Sequence, residues 1–145
     1  MKIFRPLVTL VLLLSTLAAA LPGAATLPEE LALLPQNGLV AGSGGFQPES
    51  FLGLSELTDC LYAEYSMEGE EPWQGFAFLP EVASARWDAL AESWQSLESE
   101  GLPILFREVP YTGFVGVVQT STGIFGVSGA ADQAELLSRF EQLLR

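Results

Sequence analysis

The sequence predicts an α+β domain, an antiparallel sheet of about five strands packed against one long central helix and a C-terminal helix. Three observations carry that expectation. Short β-branched or aromatic runs recur at residues 60–67, 75–79, 104–109, 114–120 and 124–128, each bounded by turn-forming residues. Two stretches, 81–100 and 132–144, instead space their apolar residues at helical intervals. The resulting order (two strands, a helix, three strands, a helix) suits an antiparallel sheet with helices packed on it.

The chain begins differently. Lys2 and Arg5 precede an apolar run at residues 7–17, and small residues follow at Ala18, Ala19, Ala20 and again at Gly23, Ala24 and Ala25. A cationic start, an apolar middle too short to span a bilayer and a small-residue end form a secretory signal in the required order. Residues 1–25 are therefore expected to be a signal peptide, with cleavage after Ala25 or, as the alternative, after Ala20. The single cysteine, Cys60, lies too far along to carry a lipid anchor, so a soluble secreted or periplasmic product with no membrane anchor is expected. Removing 25 of the 145 residues leaves 120, enough for one core; the Pro- and Gly-rich residues 26–50 lead into a single domain over 51–145. Leu27, Leu31 and Leu34 have helical spacing, and Gly42, Ser43, Gly44 and Gly45 read as flexible loop.

Within the domain, residues 60–67 alternate and are rich in tyrosine. Glu68, Gly69, Glu70, Glu71 and Pro72 then supply turn chemistry before the strand at 75–79, so these strands form a hairpin. Trp87, Leu90, Ala91, Trp94 and Leu97 mark one face of the expected helix over 81–100, opened by Pro80 and closed by Gly101 and Pro103. Phe114, Val115, Val117 and Val118 put apolar groups on both faces of a central strand. Ser121, Thr122 and Gly123 make a tight hairpin to the next strand, with Gly123 expected in the left-handed conformation, and Gly116 and Gly126 mark close packing or twist. Asp132 and Glu135 form a capping pair ahead of Leu136, Leu137, Phe140, Leu143 and Leu144.

Composition excludes much chemistry. There is no histidine, and the only lysine, Lys2, leaves with the signal, so Ser–His, Cys–His and Ser–Lys catalysis are out. Phosphate-loop, dinucleotide and zinc spacings are missing, and no cofactor is expected. Loss of Lys2 and Arg5 takes the formal charge from −12 to −14, which repels nucleic acid and anionic lipid and suits a cationic partner. The expected function is an exported, non-enzymatic binding or interaction domain whose partner is an unknown protein, using the sheet face or the loops around Trp73 and Tyr111. A carrier of an apolar small molecule, held between the sheet and Trp87 and Trp94, is the alternative. A carboxylate-dependent hydrolase ranks behind both, with Glu64 between Tyr62 and Tyr65 the nearest candidate acid. Glu68, Glu70 and Glu71 offer oxygens for a hard cation but lack the register of a calcium loop. Cys60, alone in an exported chain, is either a buried small hydrophobe or the seat of an intermolecular disulfide, and a monomer is favoured over a Cys60-linked dimer.

Overall fold

A computed structural model describes residues 31–145; the expected signal peptide and Leu27 lie outside the described residues. The chain forms β1 (Gly45–Gln47), β2 (Cys60–Tyr65), β3 (Trp73–Phe78), α1 (Pro80–Ser93), β4 (Gln95–Ser99), β5 (Leu102–Val109), β6 (Gly113–Gln119), β7 (Ile124–Ala130) and α2 (Gln133–Leu143), with short 3-10 turns at Leu31–Leu33 and Phe51–Gly53. All the strands join one antiparallel sheet in the order β1-β2-β3-β7-β6-β5-β4. The architecture is α+β, with a seven-stranded open sheet where about five strands were expected.

The sheet divides two cores. On one face Leu90 of α1, Trp94 and the segment carrying Phe51, Leu54 and Leu57 cover Cys60, Phe76, Phe78, Leu105, Val115 and Val117. On the other, Leu136, Phe140 and Leu143 of α2, with Leu34 from the N-terminal segment, cover Leu61, Tyr65, Ala77, Ile104, Val118 and Val127. Apolar residues on both faces of β6 thus find a cover on each side. Close approach depends on two glycines. A Cβ on Gly116 would stand 3.0 Å from Leu136 of α2, and one on Gly126 would stand 2.1 Å from the Phe76 ring on the opposite face.

The long central helix is corrected. The helix opens at Pro80 as expected but ends at Ser93; the amide of Trp94 still donates to Leu90 O at 2.8 Å, and residues 95–99 then form β4. Gly101 does not cap a helix. It follows Glu100 in a two-residue hairpin loop between the paired residues Ser99 and Leu102, and both loop residues have positive φ, 52° and 80°, the signature of a type I′ turn. Leu97, assigned by its spacing to the helix, instead packs on the α2 side of the sheet. Gly123 also departs from expectation, since it is not among the left-handed residues. Thr120 closes that turn, its amide and hydroxyl both donating to Gly123 O at 2.9 Å. The irregularity sits in β6, where the register against β7 shifts between Phe114 and Gly116. The third unexpected feature is β1, where Gly45 admits the Tyr62 ring: a Cβ there would lie 2.3 Å from the phenol oxygen.

At the C-terminus, Asp132 caps α2 by accepting from Glu135 N at 2.8 Å, while the Glu135 carboxylate accepts from Ala131 N at 3.0 Å. Among the described residues no helix is long and apolar enough to cross a membrane.

Candidate functional site: an acidic cleft at the open end of the sheet

β3 and β7 pair through Gly75, Phe76 and Ala77 only. Beyond Gly75 the backbone ladder stops, and the hydroxyl of Ser128, the one buried polar residue among those described, donates to Gln74 O at 2.9 Å in its place. The strand ends part there. The gap opens into a cleft of ≈ 680 Å³ whose walls include Glu64, Glu70, Glu71, Trp73, Arg139 and Thr112, with Leu52 reaching it from the opposite layer.

Arg139 is the keystone of this end. Projecting from α2, it donates through Nη1 to Ser128 O at 2.8 Å, pairs through Nη2 with Glu135 one helical turn earlier, and lies over the Trp73 ring with its guanidinium carbon 5.3 Å from the centroid. Trp73 in turn stacks on Tyr65 at 5.0 Å, and the Tyr65 hydroxyl donates to Pro35 O at 2.7 Å. Helix α2, both parted strands and the N-terminal segment are therefore locked through one guanidinium and two rings. Burial of the Tyr65 phenol raises its pKa, so it stays protonated as a donor. The indole Nε1 of Trp73 and the Nε of Arg139 are buried without a partner among the described residues, as is the Trp94 indole on the other face.

Glu64, Glu70 and Glu71 are exposed and enter no ion pair among the described residues, so three uncompensated carboxylates ring the single guanidinium. Tyr111 immediately precedes the cleft-lining Thr112 in the β5–β6 turn. Its side chain is fully exposed, whereas the other exposed large hydrophobic among the described residues, Leu33, is 42% exposed. The Tyr111 backbone is left-handed, φ 65°, in a turn closed by Thr112 N donating to Val109 O at 3.1 Å. With Pro110 before it, this is the third position of a type II turn, where glycine is the favoured residue. Within the cleft lining itself Leu52, φ 57°, and Gly129, φ 76°, are left-handed.

The structure separates the other expected residues. Trp73 is 5% exposed and belongs to the core that backs the cleft. Trp87 and Trp94 lie on the α1 side, Trp94 packed in that core, and neither lines this cleft or the two smaller grooves beside α2. Glu68 stays outside the cleft that Glu70 and Glu71 enter, and no cluster of three metal-ligating side chains occurs among the described residues. Cys60 is fully buried under the α1-side core, where desolvation, with a smaller contribution from Asp59, pushes its thiol up to about 12. Its Sγ lies 3.7 Å from Thr58 O. Glu64 is at the surface, its backbone amide donating to Ser43 Oγ at 2.9 Å.

Arg139, Ser128 and Gln74 were not singled out by sequence reasoning, and Glu135 was, but only as half of the capping pair with Asp132. Arg139 is one of four arginines beyond residue 25, placed one turn after Glu135. No family model matches the chain, and neither a curated protein nor a solved structure matches it.

Proposed function

We propose that this protein is an exported, non-enzymatic binding domain that holds a cationic segment of a protein partner in the cleft between β3 and β7, with Tyr111 as the aromatic contact at its rim. The observation that carries the reading is Tyr111 itself, a wholly exposed ring on a strained backbone in the turn whose next residue, Thr112, lines the acidic cleft. Nothing in the fold uses that side chain, and a glycine would suit the turn better. An exposed aromatic flanked by charge is the composition of a binding anchor.

Glu64, Glu70 and Glu71 give the cleft an acidic mouth, and the chain's net charge adds a long-range field of the same sign. Lys or Arg side chains entering it would meet carboxylates at the surface and the π-face of Tyr111. Arg139, already committed to Glu135, Ser128 and Trp73, holds the walls in place rather than taking the ligand. Export rests on the cationic, apolar and small-residue order of residues 1–25, and N-terminal sequencing of the secreted protein is expected to begin at Thr26.

Calorimetric titration with tetralysine tests the site. Glu70→Gln with Glu71→Gln is expected to weaken binding by about tenfold, an effect that shrinks in salt, and Tyr111→Ala by a further factor of about five that salt changes less. Equal affinity for the parent and the triple variant would remove the proposal.

A further inference from the structure

We propose a second contact surface: the outer edge of β4 accepts an extended segment of a partner protein, bearing Lys or Arg, as an antiparallel eighth strand. The sheet has two edges, and they are built differently. β1 is three residues long and is followed at once by Pro48, which blunts it as a template. β4 is five residues long, pairs with β5 in unbroken register, and contains neither proline nor lysine. Among the described residues nothing pairs with its outer side, so a row of backbone donors and acceptors faces outward.

The side chains of β4 state what kind of strand fits. Leu97 packs toward α2 and Trp94 toward α1, so alternation puts Gln95, Leu97 and Ser99 on the α2 side and Ser96 and Glu98 on the α1 side. On the α2 side a groove of ≈ 320 Å³ meets the edge at Ser99, with Leu102, Ile104 and Val118 of the sheet and Leu137 and Phe140 of α2 in its lining and Glu100, Glu141 and Arg145 as its charged residues. Apolar side chains of an added strand would extend that lining across the half-buried Leu97. On the α1 side Glu98 is exposed, and Glu92 and Glu100, also exposed, flank the strand. The edge carries only negative charge, which selects a cation at the position opposite Glu98. A second copy of this chain would bring the same acidic edge and a net charge of −12 against it. Strand addition takes affinity from backbone hydrogen bonds and specificity from alternate side chains, and β4 offers both.

The test is amide hydrogen exchange of the purified protein with an acetylated, amidated heptapeptide, Lys-Val-Lys-Val-Lys-Val-Lys, and its aspartate counterpart. At ten times the dissociation constant, exchange at the amides of residues 95–99 that face away from β5 is expected to slow by about tenfold with the lysine peptide. Glu98→Lys, a change at an exposed position, is expected to weaken that peptide about fivefold, while Glu70→Gln leaves the protection of β4 intact. The proposal is overturned if β4 exchange is unchanged at millimolar lysine peptide, if protection appears only around the β3–β7 cleft, or if the aspartate peptide protects equally. It is also overturned if the outward-facing amides of β4 are already protected without peptide, because a second copy or residues 1–30 lie there.

Discussion

Replacing Tyr111 by glycine and, separately, by alanine separates strain from contact at the proposed anchor. With φ at 65° and no packing around an entirely exposed ring, the tyrosine contributes nothing to the fold that truncation removes. An L-residue held left-handed costs about 1–2 kcal/mol, which glycine does not incur. Glycine's greater freedom in the unfolded chain returns about 0.5–1 kcal/mol of that. Tyr111→Gly is therefore expected to raise the unfolding free energy by about 0.5–1 kcal/mol. Alanine keeps the Cβ and so keeps the strain, and Tyr111→Ala should stay within about 0.5 kcal/mol of the parent. Urea unfolding followed by tryptophan fluorescence reads both midpoints, with unchanged m-values showing that the end states are the same. The signature is a glycine variant more stable than parent that binds tetralysine less well. A glycine variant less stable than parent would mean that the ring packs in solution, and the case for a strained binding anchor would fail.

Three further outcomes follow from the packing. Gly126→Ala pushes a methyl to within 2.1 Å of Phe76, itself wedged between Phe51 and Phe78, and is expected to cost about 1–3 kcal/mol in urea unfolding; adding Phe76→Leu should recover part of that loss. In the β4–β5 turn Glu100→Asn suits the positive φ and is expected to add about 0.5 kcal/mol, whereas Gly101→Ala should remove about 1 kcal/mol; a continuous helix to residue 100 would predict a loss rather than a gain for Glu100→Asn, the poorer helix former. The Cys60 thiol titrates near 9.0 in the unfolded chain and about 12 when folded, so above pH 9 the unfolded state loses a proton the native state keeps. Stability should fall with pH across that window, by at most about 1.4 kcal/mol per pH unit for this group, and Cys60→Ala should flatten the slope measured by urea titrations from pH 8 to 11. Below pH 9 the thiol should react with a disulfide reagent at a rate set by unfolding, and a fast native reaction would contradict its burial.

Local signals identified the elements whose sequence agreed with their neighbours. Asp132 and Glu135 announced the start of α2, and the β-branched run from Val115 to Val118 announced a strand covered on both faces, because each pattern is a property of a few consecutive residues. β4 escaped for a physical reason. Trp87, Leu90, Trp94 and Leu97 keep helical spacing past Ser93, and Gly101 with Pro103 serves a helix end and a hairpin equally well. What decides in favour of the strand is pairing with β5, a partner with its own apolar sequence, and that contact leaves no mark within residues 95–99. β1 is hidden likewise, since Gly45 is chosen by the Tyr62 ring that covers it. At the cleft, Glu70, Glu71, Trp73 and Tyr111 drew notice by residue type alone. Arg139 did not, because its function comes from Ser128 and Trp73, which the fold brings to it from distant strands.

The most direct measurement is a chemical-shift map of the isotope-labelled protein titrated with tetralysine at physiological salt. The account predicts saturable shifts at Glu64, Glu70, Glu71, Thr112, Gly129 and the Tyr111 ring, lost together in the Glu70→Gln, Glu71→Gln variant. Weak, unsaturating shifts spread over the acidic residues of every surface would show that the charge acts only as a diffuse field, and would contradict a binding cleft at the open end of the sheet.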